Sequence, residues 1–271
     1  MIAPVRNVRT MSFVKPHMRN FAVAFAVCAL AGTAVMTAAD AWVDETEHVN
    51  RTIKLESGGW VRVRSFSGRV AITATDADEV VVDAVRRAPR SRLDRIKLDV
   101  HAEGSRTVVV DANRRDRSWW QFSGNNVVDT DLDIKVPRQT NLDVSVFSAP
   151  VTIDRVEGSS KLNSFSARMT LNDVAGPVRA HSFSGPIQIR EQALEGSQSI
   201  DVQTFSGSID LQVPDSTRAA VSFNSFSGRL DCEMPLTIRT GGRRSLRGEL
   251  GGGGSAELRF RTFSGSVRIV R

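Results

Sequence analysis

The chain has no tyrosine, four tryptophans and only two cysteines in 271 residues. Two cysteines, at 28 and 232, cannot build a disulfide framework, and a structural zinc site, which gathers about four clustered ligands, is excluded by the same count. Familiar catalytic signatures are missing too. There is no G-x-S-x-G elbow and no H-E-x-x-H pair, and Gly251–Gly254 runs into Ser255-Ala256 where a phosphate-cradling loop needs Lys followed by Ser or Thr. Neither a cofactor nor a metal is expected, and the chain is read as no enzyme. With 41% hydrophobic and 24% charged residues, there is apolar material for a core and no compositional sign of disorder. Length allows one or two domains.

Long apolar runs are limited to one, Phe21 to Ala39, preceded by Arg6, Arg9, Lys15 and Arg19 and followed by Ala39-Asp40-Ala41. A basic start, an apolar middle and small residues at the end describe a secretory signal peptide over residues 1–41. The rival reading is a retained membrane anchor, since the run approaches the roughly 20 residues that span a bilayer. Val27 before Cys28 argues against a lipoprotein signal. Removing 1–41 takes away four basic residues and one acidic, so the net charge falls from +6 to +3.

What the rest of the chain has in abundance is a repeat. The tetrapeptide Ser/Thr-Phe-Ser-Gly and close variants place phenylalanine at 66, 122, 147, 165, 183, 205, 226 and 263, with serine after it each time. Apolar residues lie five and three positions before most of these phenylalanines and four and six after, as with Val178, Ala180, Ile187 and Ile189 around Phe183. Period-two alternation marks a strand with one buried face. The apolar parity changes across the Ser-Phe step, so the chain must turn or bulge there. Glycine two places after Phe, replaced by alanine at 149 and 167, suits a tight corner. The copy at Phe122 lacks the flanking pattern, with Arg117 and Asn126 at apolar positions, and reads as a chance match or a decayed unit.

Spacings from Phe147 onward are 18, 18, 22, 21 and 37 residues, a solenoid-like period. One unit buries too few apolar side chains to offset the ordering entropy of some 20 residues, so units must stack. The fold class expected is all-β, a β-solenoid or β-helix-like stack of short strands with a looser N-terminal β cap. Phe66, Phe147, Phe165, Phe183, Phe205, Phe226 and Phe263 are expected to form a structural ladder inside it. The serine after each Phe is read as satisfying backbone groups at the corner. Residues 42–140 are taken as the N-terminal β region and cap and 141–271 as the repeats, in one continuous domain. Arg261, Arg268 and Arg271 would keep the end of the last repeat soluble.

The S-F-S-G-x-Φ-x-Φ unit, the segment Val136-Pro137-Arg138-Gln139-Thr140-Asn141-Leu142-Asp143-Val144 and the Gly251–Gly254 run resemble the bacterial "putative adhesin" family of β-strand repeat proteins, the DUF4097 type, over roughly residues 50–271. That resemblance implies an extracytoplasmic β-solenoid and brings no catalytic residues with it. Family members more often carry Val before Ser-Gly, so the consistent Phe is a departure.

Candidate chemistry is sparse. Asp129, Asp131 and Asp133 alternate and invite a calcium reading, but Val128, Thr130, Leu132, Ile134 and Val136 hold the other parity, so an acidic outer strand face explains them. Asp76-Ala77-Asp78-Glu79 reads as a turn, His48, His101 and His181 are isolated, and Cys232 occupies a position where other repeats have Ile or Leu and is expected to be buried. Arginines cluster at 86–95, 114–117 and 243–247. Arg114, Arg115 and Arg117, leading into Trp119 and Trp120, are the candidates for gripping a polyanion, against a bland reading as solvated loops. The function expected is a non-enzymatic exported cell-envelope scaffold, periplasmic or secreted, or membrane-anchored if the signal stays. Its partner would be an envelope polymer, a membrane surface or a protein, with nucleic acid disfavoured by export. A polysaccharide-active enzyme on a β-helix and a structural or stress-sensing envelope component are the alternatives.

Overall fold

The computed structural model describes residues 44–115, 127–194, 196–242 and 244–271. Each Ser/Thr-Phe-Ser unit is one rung, a strand entering the corner and a strand leaving it. The Phe183 rung is Val178–Ser182 followed by Ile187–Ala193. Entering strands join one sheet and leaving strands the other, so the described residues form an 11-stranded and a 10-stranded sheet that enclose the core. Neighbouring rungs pair parallel and in register, apart from a bulge where Met169–Ala175 meets Ile187–Ala193: Val178 lies beside Ile200 and Ala180 beside Val202, while Ile187 lies beside Ile209 and Ile189 beside Leu211. All eight are essentially buried, and with their equivalents they make the continuous apolar interior. Parallel stacking supplies each rung with the backbone partners and the apolar cover that it lacks alone.

Chain order and spatial order part at both ends. The Phe66 rung, Trp60–Ser65 and Val70–Thr75, stacks directly on the Phe147 rung, 81 residues further on. Its other side is covered by Thr107–Arg115 in one sheet and Asp129–Pro137 in the other, both parallel to it. Beyond these the pairing turns antiparallel, with Ile96–Ala102 as one edge and Glu79–Pro89 then Asp44–Lys54 as the other. The outermost strand, DETEHVNRTIK, is mostly exposed and rich in charge, which discourages further edge pairing.

At the far end, the last repeat in the sequence is not the last rung. Ala256–Thr262 pairs with Ser199–Thr204 on one side and with Ala219–Ser225 on the other, so the Phe263 rung sits between the Phe205 and Phe226 rungs. The chain leaves a gap one rung wide, builds the antiparallel hairpin Leu236–Gly241 and Ser245–Leu250 against Ala219–Ser225, and returns to fill the gap. Gly251, Gly252 and Gly253 carry φ of 59°, 87° and 86°, a left-handed run that side chains resist, and this is how the chain reverses into the slot. The expectation that Arg261, Arg268 and Arg271 guard an open end is therefore corrected: their rung is interior to the stack. Strand Leu230–Cys232 is the edge, and Cys232, expected to be buried, is half-exposed because no leaving strand covers it.

Candidate functional site

Along each entering strand, positions five, three and one before Phe face the core, so Phe itself falls on the outward parity. At the Phe183 rung, Val178, Ala180 and Ser182 are buried while Arg179 and Phe183 are exposed and His181 half-exposed. After Phe, the following serine also faces out and the glycine or alanine next to it turns in, which restarts the alternation in the opposite phase. The expectation of an interior column is thus overturned. Phe147, Phe165, Phe183, Phe205, Phe226 and Phe263 are 42–54% exposed and Phe66 is half-buried.

Outward placement does not scatter the rings. They run Phe66, Phe147, Phe165, Phe183, Phe205, Phe263, Phe226, with centroids 4.6–5.0 Å apart and planes within 3–4° of parallel. That spacing is the distance between paired strands, so the sheet fixes the stack and the rings cover one another's faces. The guanidinium carbon of Arg244 lies 4.7 Å from the ring centroid of Phe226, the terminal ring.

The corner that aims the rings is held from inside. The hydroxyl before Phe, not the one after it, accepts the backbone N–H two residues beyond Phe: Gly185 N to Ser182 Oγ at 2.9 Å, Gly207 N to Thr204 Oγ1 at 2.8 Å, Gly228 N to Ser225 Oγ at 2.6 Å. The serine after Phe is exposed and bonds the neighbouring rung through its backbone N–H, as Ser184 N does to the Phe165 carbonyl at 3.0 Å, and at some corners through its hydroxyl as expected, as Ser148 Oγ does to the Phe66 carbonyl at 3.1 Å. Glycine at the corner is steric. A Cβ on Gly207 would overlap the carbonyl oxygen of Gly185, and one on Gly265 that of Gly207.

Beside the column runs a shallow trough of about 860 Å³. Its wall away from the rings is the row two residues before each Phe, including Arg64, Ser145, Asn163, His181, Gln203 and Arg261. Nε2 of His181 is covered and has no hydrogen-bond partner among the described residues. An apolar ring edge and a polar side chain therefore recur at every step, an arrangement that can hold an extended or flat partner by surface contact.

The other candidates fare differently. Arg117, Trp119, Trp120 and the copy at Phe122 lie outside the described residues, as do the side chains of Arg114 and Arg115. In the 86–95 stretch, Arg86 is buried and bonds Glu47 and the Ile96 carbonyl, Arg87 pairs with Asp131 at 2.8 Å, and Arg90 reaches Glu45 and Asp94, both at 3.4 Å. That stretch is tied down in a short helix, Arg90–Arg95, and its approach, rather than forming a solvated loop. Asp129, Asp131 and Asp133 face outward from one strand, bonded to Ser67, Arg87 and Arg69 respectively. Asp76 meets Arg138 at 2.6 Å, which holds its carboxyl below the usual range through a hydrogen bond and charge. Among the described residues no three His, Cys, Asp or Glu side chains gather as a metal site, and no helix is long and apolar enough to cross a membrane.

No curated protein sequence matches this one. Solved structures with a related outline include a "putative cell adhesion protein" of Clostridium sporogenes (9% identity, 82% of this chain and 99% of that one, TM-score 0.45). A "putative adhesin" of Bacteroides fragilis (12%, 83% and 97%, 0.31) and a "putative lipid binding protein" of Parabacteroides distasonis (12%, 83% and 97%, 0.23) also match. At these scores none of the three bears on activity or ligand. Residues 143–270, which hold all the rungs from Phe147 to Phe263, match the family described as Toastrack DUF4097, and this stretch of the chain belongs to that family.

Proposed function

We propose that the protein is a non-enzymatic, extracytoplasmic binding scaffold of the cell envelope, with the aromatic column as its contact surface. The apolar run and small-residue site at 21–41 support export, with residues 1–41 as the signal. The observation that carries the binding role is the seven-ring column itself. Stacking gives each of the seven phenylalanines only part of the burial that a core site would give, so the row leaves a long apolar surface open to solvent. Contiguous exposed apolar surface of this kind, rimmed by polar side chains, is the mark of an interaction site.

The test is retention of bacterial envelope material by the immobilised full chain, compared with a Phe147→Ser, Phe183→Ser, Phe205→Ser variant shown by circular dichroism to keep its β structure. Loss of a retained component in the variant is expected. Equal retention by both proteins would remove the column from the function.

A further inference from the structure

We infer that the partner of the phenylalanine column is an anionic lipid surface, met by the ring edges while flanking arginines hold the headgroup phosphates. This rests on the reading of the column as the contact surface and adds the chemistry of what it contacts.

Three features point to lipid. The first is continuity. Successive rings tilt by only 3–4° and follow one another at 4.6–5.0 Å, so the six steps present one unbroken row of ring edges, about 29 Å along its path. The second is which part of the rings is offered. Faces inside the column are covered by neighbouring rings, so sugar rings and bases, which stack on aromatic faces, find none there. Ring edges remain, and these suit hydrocarbon at the boundary between headgroups and acyl chains.

The third is charge. Arg64 and Arg261 stand two residues before their Phe on one side of the column, and Arg168 and Arg229 stand three residues after theirs on the other. All four are exposed, and none forms an ion pair or a side-chain hydrogen bond with a described residue. Arg69 in the same flank is matched by Asp133 at 3.2 Å. Away from the column, Arg62, Arg138 and Arg239 each have an acidic partner within 2.6–2.9 Å, while Arg179 and Arg218 are exposed with no ion pair or side-chain hydrogen bond to a described residue. Free cations on both sides of an apolar line match a surface that presents phosphates above hydrocarbon.

The experiment is flotation of the full chain with vesicles of phosphatidylcholine alone or with added phosphatidylglycerol. Binding is expected to be stronger with phosphatidylglycerol than without it, and the excess should fall as salt rises. Phe183→Ser with Phe205→Ser should lower that binding about tenfold or more, and each Arg→Gln change at 64, 168, 229 or 261 about fivefold. The apolar N-terminal segment is common to every variant, so differences among them report the column alone. A Phe205→Trp protein gives a second readout: its emission less that of the wild-type chain, which carries four tryptophans of its own, reports the introduced indole, which should shift to the blue and be quenched by lipids brominated in the acyl chain. Equal binding to both vesicle types, binding that survives the phenylalanine changes, or an introduced indole that stays unquenched would each overturn the inference. If vesicles fail while envelope material is still retained through the column, the lipid assignment falls and the contact surface stands. If the column variants alter neither, both fall.

Discussion

A single aromatic position in each repeat separates two roles for the same residue type. Phe183 is half-exposed and stacked, whereas Phe260, three residues before Phe263, is fully buried between Val202 and Phe223. Truncating Phe260 to alanine should cost about 3–5 kcal/mol, as in other cores. Truncating Phe183 should cost about 1–2 kcal/mol, since it gives up partial burial and stacking only. Chemical denaturation of the two variants checks the difference, and equal losses would contradict the outward column. Glu191 is the opposite anomaly, a carboxyl on the inward parity after Ile187 and Ile189 and only 3% exposed. Burial pushes its pKa up to about 8, the Gly176 backbone pulling the other way. The folded state therefore holds a proton that the unfolded chain releases near its ordinary carboxylate range, so stability is full below about pH 4.5 and declines as pH rises toward 8. Glu191→Gln should flatten that decline and be more stable by a few kcal/mol at pH 8, measured as the denaturation midpoint across pH.

The element that repeats is a corner, and its demands are steric. At the Phe183, Phe205 and Phe263 corners the backbone of one rung passes so close to the next that a methyl on Gly185, Gly207 or Gly265 meets a carbonyl oxygen. Ala149 and Ala167 occupy the same place in two earlier rungs, where that methyl is accommodated as part of the core. Gly207→Ala should accordingly lower stability by about 1–3 kcal/mol, the cost of overpacking where only backbone can move. A melting curve superimposable on wild type would show that the rungs separate more easily than their hydrogen bonds suggest. The corner also explains why Ser or Thr precedes Phe in every rung but that of Phe147, where Val146 stands: at Ser164, Ser182, Thr204 and Ser225 the hydroxyl oxygen takes the N–H that the turn would leave unpaired.

For the whole molecule, sequence adjacency and spatial adjacency coincide only through the middle of the stack, from Phe147 to Phe205. Before it, the Phe66 rung waits for 81 residues of intervening chain; after it, the Phe205 rung is completed by the last repeat, not by the next one. Period-two patterning in Val178–Ser182 or Ile200–Val202 was enough to read strands, corners and stacking, because alternation reports which face is buried. The outward direction of the rings was also legible, since Phe183 shares the parity of Arg179 and His181 on its entering strand. Its leaving strand has the opposite parity, and hydrophobicity alone favours the inward choice. The arginines beside the column are not legible in the sequence, because they are scattered along it and gather only when strands lie side by side.

The order of residues along this chain determined an all-β stack of strand, corner, strand units, because alternation and inter-rung spacing are local properties. Tertiary structure alone decided the position of the final repeat within the stack and which arginines come to flank the aromatic row. Those depend on which strands become neighbours, and parallel pairing at 4.6–5.0 Å between rings is indifferent to how many residues separate two rungs in the sequence.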